Sequence, residues 1–133
     1  MTTQDDTILL FRNTMRITDG HLDRFRDAIT QAVDFTHEHG SQLMVQTFVD
    51  TEHMLAHSFQ LYQDSDAVRA HWKLADPYIQ EVMRHCAVVR FEVFGEPDAD
   101  VADGVRAALG DQTSITFSPR VAGFLRLSAA PPA

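Results

Sequence analysis

Only one cysteine, Cys86, occurs in the 133 residues, so no internal disulfide can form. A lone thiol suits a reducing compartment. Cys86 stands between an expected helix and an expected strand, a place for a small buried hydrophobe. No triad-like pattern surrounds it, which argues against a catalytic thiolate. Positive charge is scarce as well. Eleven Lys and Arg stand against nineteen Asp and Glu, a formal charge of −8. Phosphate backbones need clustered cations, so a nucleic-acid partner is not expected, nor is an anionic membrane surface. No apolar run approaches the ~20 residues of a membrane span. Met1 to Asp6 lacks the charged-then-apolar layout of a secretion signal. The expectation is a cytoplasmic protein without a membrane or nucleic-acid partner.

What is present reads as one folded unit. Hydrophobic residues make up 44% and charged residues 23%, ordinary for a globular protein and sufficient for a single core at this length. Thr7–Ile17 has the composition of a strand, with apolar groups on both faces. Thr18-Asp19-Gly20 offers a turn and a helix cap. Leu22, Phe25, Ile29, Ala32, Val33 and Thr36 then recur at helical spacing until Gly40. Gln42–Val49 and Leu55–Tyr62 alternate as strands, and the short polar stretch between them marks a hairpin. Asp64-Ser65-Asp66 caps a second helical region. Pro77 divides it by expectation into Asp66–Ala75 and Pro77–His85, because proline removes a donor but is accepted at a helix start. Ala87–Phe94 is the fourth strand. The order strand, helix, strand, strand, helix, strand is the α+β, ferredoxin-like βαββαβ arrangement. Residues 1–97 form this core. Residues 98–133 form an extension, with a short helix over Asp100–Leu109, an extended stretch over Thr113–Leu127 kept from a central position by Pro119, and a frayed end at Ser128–Ala133. The extension is expected to pack on the same domain or on a dimer partner.

Four strands under helices on one face leave the other face uncovered, yet these strands are apolar on both faces. A second buried face follows, covered by the tail or by a second subunit.

Several stretches resemble one known family. They are FRNTMRITDG in the first strand, the helix after it, VRAHWKLADPYIQEVM, and VVRFEVFGEP. The most telling is His71 followed by Ala75-Asp76-Pro77-Tyr78. Together, over Ile8 to Pro97, they resemble the antibiotic-biosynthesis-monooxygenase superfamily of dimeric α/β barrels. The resemblance implies a homodimer packed through the open sheet faces, and a pocket between sheet and helices in each subunit. Its members include cofactor-free oxygenases of quinols and anthrones, haem-degrading proteins, and proteins without known activity.

Candidate site residues follow from both sources. Asn13 is out of place by propensity in mid-strand. It either points into a pocket, as the resemblance implies, or meets solvent at the strand's outer side. Trp72 is the only tryptophan, a core residue by type and a pocket wall by resemblance. Tyr78, six residues on, is either a substrate-contacting hydroxyl or an amphipathic residue at the helix break. His57 shares a strand face with Leu55, Phe59 and Leu61, and His71 neighbours Trp72; either imidazole is a candidate base. Phe59, Phe91 and Val82 complete the expected pocket. Haem-degrading relatives carry an axial His about ten residues after the Trp. That position is Val82 here, with His85 the nearest replacement, which counts against haem. The seven histidines show no metal-ligand spacing: His37 and His39 serve the end of the first helix, and His53 lies in a turn. Arg12, Arg16 and Arg90 either bind an anionic substrate group or pair across strands. The reading that results is a monooxygenase, without cofactor or metal, acting on a quinol- or anthrone-type aromatic. The alternatives are a haem-binding protein and a non-catalytic small-molecule binder.

Overall fold

The computed structural model describes residues 7–126. Eight elements follow one another: β1 Leu9–Ile17, α1 Leu22–His39, β2 Met44–Asp50, β3 Leu55–Tyr62, α2 Ser65–Met83, β4 Cys86–Phe94, α3 Ala99–Leu109 and β5 Ser114–Ser118. The strands form one sheet in the order β2-β3-β1-β4-β5. β1 is therefore the middle strand, antiparallel to both neighbours, while β5 runs parallel to β4. The fold is α+β and ferredoxin-like, enlarged by α3 and β5.

The sheet has five strands where the core pattern has four. β5 stops at Ser118, immediately before Pro119, and stays at the sheet edge. Only these five residues of the expected extended stretch are strand, and Ser128–Ala133 lie outside the described residues. The second helical region is one helix, and the expected break at Pro77 does not occur. Lys73, whose carbonyl Pro77 leaves without its helical donor, is exposed, as is Pro77 itself, so water can serve the freed oxygen. Asp64 caps this helix, accepting from the Ala67 N–H at 3.0 Å. The cap expected within Thr18-Asp19-Gly20 is instead a turn, with Gly20 at φ +79°, and His21 occupies the N-cap without a side-chain capping bond.

All three helices lie on one side of the sheet. Alternation along β1 sends Leu9, Phe11, Asn13, Met15 and Ile17 toward them and Leu10, Arg12, Thr14 and Arg16 to the open side. Two core clusters result. The first joins Leu9, Phe11, Tyr62, Val68 and Val93 to Val101 and Val105 of α3. The second joins Met15, Ile17, Ala56 and Val82 to Phe25 and Ala28 of α1. Asn13 falls between Phe11 of one and Met15 of the other. On α3, Arg69 holds the helix start to α2 by bonding Asp98 and Asp100 at 2.6–2.9 Å.

The open side carries Leu10, Phe59, Leu61 and Phe94 beside a charged pair, Arg12 and Glu92, at 3.7 Å. Arg16 and Arg90 lie on the same face, on either side of Thr14 or paired with it. Phe48 on β2 is 56% exposed there. Residues 119–125 border one end of this face, beside Ile8, Leu10, Leu61 and Phe94. No helix among the described residues is long and apolar enough to cross a membrane.

Candidate functional site

Asn13 is the anomaly of the middle strand. It points to the helix side, where its neighbours two residues away are 3% and 2% exposed. Asn13 itself is only half-buried. Its Oδ1 is nevertheless sealed from solvent and has no hydrogen-bond partner among the described residues. A buried amide oxygen left unpaired costs ~1–3 kcal/mol.

Strand register places four residues beside it on the same face. Thr47 of β2 is opposite Ser58 of β3, Ser58 opposite Asn13, Asn13 opposite Phe91 of β4, and Phe91 opposite Ile115 of β5. The row therefore changes from hydroxyls through an amide to apolar groups. The Thr47 hydroxyl donates to Ser58 Oγ at 3.3 Å. Phe91 meets Phe11 edge-on, with ring centroids 5.4 Å apart.

Trp72 packs on the same core cluster as Phe91 and Ile115. Its indole lies against α3 so tightly that a Cβ on Gly104 would stand 2.7 Å from the ring. Gly104 is helical with no positive φ, so its lack of a side chain is a matter of room for the indole. Gly104→Ala would ordinarily strengthen a helix by ~1 kcal/mol. Here overpacking opposes that gain, and we expect a net loss of about 1 kcal/mol together with a shifted emission of Trp72. As the only tryptophan, Trp72 makes that shift readable, and an unchanged spectrum with a higher melting temperature would contradict the packing.

The other expected site residues divide. At 100° per residue, Trp72 and Tyr78 lie on opposite flanks of the buried stripe Val68, Ala75 and Val82. Trp72 faces α3. Tyr78 stacks on Phe35 of α1, 4.3 Å between centroids. His71 lies on the same flank as Tyr78, buried, with its ring 6.1 Å from that of Tyr62. Burial lowers the His71 pKa to about 4, so the ring is neutral at pH 7 and a weak base. Val82 is buried in the second cluster. His57 and Phe59 require correction as neighbours of Asn13. They pair with Thr14 and Arg12, the residues flanking Asn13 in β1, and therefore lie on the opposite face of the sheet. There His57 Nδ1 is 3.5 Å from Arg12, and the Arg12 guanidinium lies over the Phe59 ring. The structure thus pairs Asn13 with Phe91 on the helix side, with Trp72 and Phe91 packed on one core cluster, and leaves His57 and Phe59 on the open side.

Ser58, Thr47 and Gly104 were not singled out from the sequence. The hydroxyls become visible only through the register of β1, β2 and β3. A haem does not fit the residues present. The position that the resemblance to haem-degrading proteins would give an axial ligand is Val82, buried in the second cluster, and both nitrogens of His85 are engaged, Nδ1 with His21 at 3.1 Å and Nε2 with Glu81 at 3.3 Å. No group of three or more potential metal ligands occurs among the described residues.

No family model and no curated protein matches the chain. Solved structures do. MupZ from Pseudomonas fluorescens superposes with a TM-score of 0.72 at 18% identity, over 94% of this chain and 99% of that one. SnoaB from Streptomyces nogalater, a cofactor-independent oxygenase, gives 0.59 at 11% identity, over 70% and 96%. A Caulobacter crescentus protein classed by its description with the antibiotic biosynthesis monooxygenases gives 0.59 at 15%, over 66% and 88%. The chain has the antibiotic-biosynthesis-monooxygenase-like fold. Identities this low speak for the fold alone. Within that fold the matches differ in extent. The span shared with MupZ takes in α3 and β5, whereas the SnoaB match leaves about the length of the extension uncovered.

Proposed function

We propose that the chain is a cofactor-independent monooxygenase of an electron-rich, quinol- or anthrone-type aromatic. The observation that carries this reading is Asn13 itself, a half-buried amide in the middle strand whose oxygen has no protein partner among the described residues, with Phe91 beside it on the same face and Trp72 packed on the same cluster as Phe91. Aromatic walls suit a flat ring system, and the amide suits the oxygen attached to it. An amide can present either its oxygen or its NH2 to the ligand. It can therefore hold a phenolic hydroxyl and then the oxyanion that develops from it.

The chemistry balances without an added reductant. An anthrone CH2 loses a proton to water held at Asn13, and the resulting carbanion passes an electron to dioxygen. Recombination forms a carbon–peroxide bond. Loss of water then leaves a carbonyl: one oxygen atom stays on carbon and the other departs as water. The proton acceptor is water because His57 faces away and His71 is buried beside Tyr62 on the other flank of α2 from Trp72. The apolar walls keep bulk water from the reactive pair. Support for the reading also comes from SnoaB, which shares the fold and is described as a cofactor-independent oxygenase.

The open sheet face, with Phe48 exposed on it, favours a homodimer of the 15.0 kDa chain, and sedimentation at twice that mass is the expected result. Oxygen uptake with a panel of anthrones and naphthalene quinols, in metal-free buffer, tests the chemistry. Uptake above the buffer rate, with the quinone as product, is expected. Uptake at the buffer rate for the whole panel, with correctly folded protein, rejects it.

A further inference from the structure

The row that contains Asn13 ends under packed side chains on one side and beside a surface groove on the other, with Ser58, 3% exposed, between that groove and Asn13. At the β5 end, Ile115 and Leu109 pack on the first core cluster with Trp72 and Phe91, and α3 presses on the indole at Gly104. Nothing planar can enter past these side chains without displacing them. At the β2 end the sheet stops, since β2 is an edge strand. There α1 and β2 leave a groove of about 340 Å³, lined by Ile29, Val33, Val45 and Val49, with Thr47 in its wall. That volume lies at the lower end of small-molecule sites, ~300–1,000 Å³. Thr47 is the first member of the row. Its hydroxyl is bonded to Ser58, and Ser58 stands opposite Asn13.

We propose that the groove between α1 and β2 is the entrance to the Asn13 site, and that its valine and isoleucine side chains form an outer subsite for a flat, apolar molecule led in by a hydroxyl group. Four branched aliphatic side chains give the molecule its apolar bed. The Thr47 and Ser58 hydroxyls give its leading oxygen a partner on the way, each able to donate or accept. The unpaired amide of Asn13 is the stop. Arg26 and Asp34 stand at the rim with opposite charges, so the mouth selects for neither an anion nor a cation. A neutral phenol is the class that fits.

This inference builds on the location of the site proposed above and leaves the oxygenation step aside, so its test uses a ligand already at the quinone level. The probe is 1,8-dihydroxyanthraquinone, and its binding is read from quenching of the single tryptophan. Saturable quenching is expected for the unaltered chain. Val33→Phe, which narrows the groove, should weaken binding about tenfold or more, a factor of ten being 1.4 kcal/mol. Thr47→Val should weaken it about threefold. Thr116→Val, on the strand at the far edge, should leave it unchanged. Thr47→Cys supplies a second measurement. Iodoacetamide at about pH 8 should alkylate this thiol, and the probe should protect it. Cys86 does not compete, because it is buried and its pKa is pushed up to about 11. Equal affinity in Val33→Phe and the unaltered chain, at equal melting temperature, overturns the entrance. So does the absence of quenching, or alkylation of Thr47→Cys that the probe leaves unslowed. Groove-sensitive probe binding without oxygen uptake removes the oxygenase reading and keeps the entrance. Uptake that Val33→Phe leaves intact does the reverse.

Discussion

Asn13→Leu is expected to make the protein more stable and nearly inactive. Leucine has a similar volume and no polar atom, so it ends the cost of a sealed, unpartnered amide oxygen. It also joins Phe11 on one side and Met15 on the other in a continuous apolar stripe. The gain should be ~1–2 kcal/mol of unfolding free energy. Turnover of an anthrone should fall roughly 100-fold, the usual loss on removing one group that stabilises a developing oxyanion. Urea titrations and oxygen-electrode rates on the same preparations check both. A stabilised variant that turns over at the original rate would separate Asn13 from the chemistry. A destabilised one would mean that the amide has a structural partner after all.

The second large effect is acid lability centred on His71. Burial alone lowers its pKa to about 4, against 6.5 for an exposed imidazole. Between these values the unfolded chain binds a proton that the folded chain refuses. The contribution of the neutral ring is therefore complete above about pH 6.5, shrinks as the pH falls below that value, and is gone near pH 4. At about pH 5 the loss amounts to ~2 kcal/mol. In His71→Leu this portion should vanish, so the variant should gain ~2 kcal/mol relative to the parent between about pH 7 and pH 5. Curves that stay parallel over that range would show that His71 titrates normally in the folded state.

Most of the fold could be read from periodicity. Strand alternation and the helical spacing of Leu22, Phe25, Ile29 and Ala32 suffice for the βαββαβ order, because each element buries a face that its own sequence marks. Pro77 misled, since a proline in a helix is costly only where the freed carbonyl cannot reach water, and solvent exposure is a tertiary property. The candidate site was legible in part. Asn13 stood out as an amide in an apolar strand, and Trp72 as a large ring on an amphipathic helix. Phe59 and His57 were misplaced for a definite reason. Which face a strand residue takes relative to another strand depends on register, and a shift of one residue exchanges the faces. β3 pairs Ser58, not His57 or Phe59, with Asn13. Gly104 was visible as a helical glycine, but the indole that requires it comes from α2, 32 positions earlier in the chain.

Val101 and Val105 share a cluster with Leu9, Phe11 and Val68, which bears on where this protein could be shortened. A chain cut back to Pro97, the length over which the family resemblance runs, would lose two fully buried valines from the centre of its packing. Val68, Val93 and one flank of the indole would then meet water, and Arg69 would lose two of its carboxylate partners. Such a fragment should self-associate, and should not behave as a minimal catalytic unit. Heating the intact chain should give a single transition, with α3 and β5 melting together with the strands they lean on.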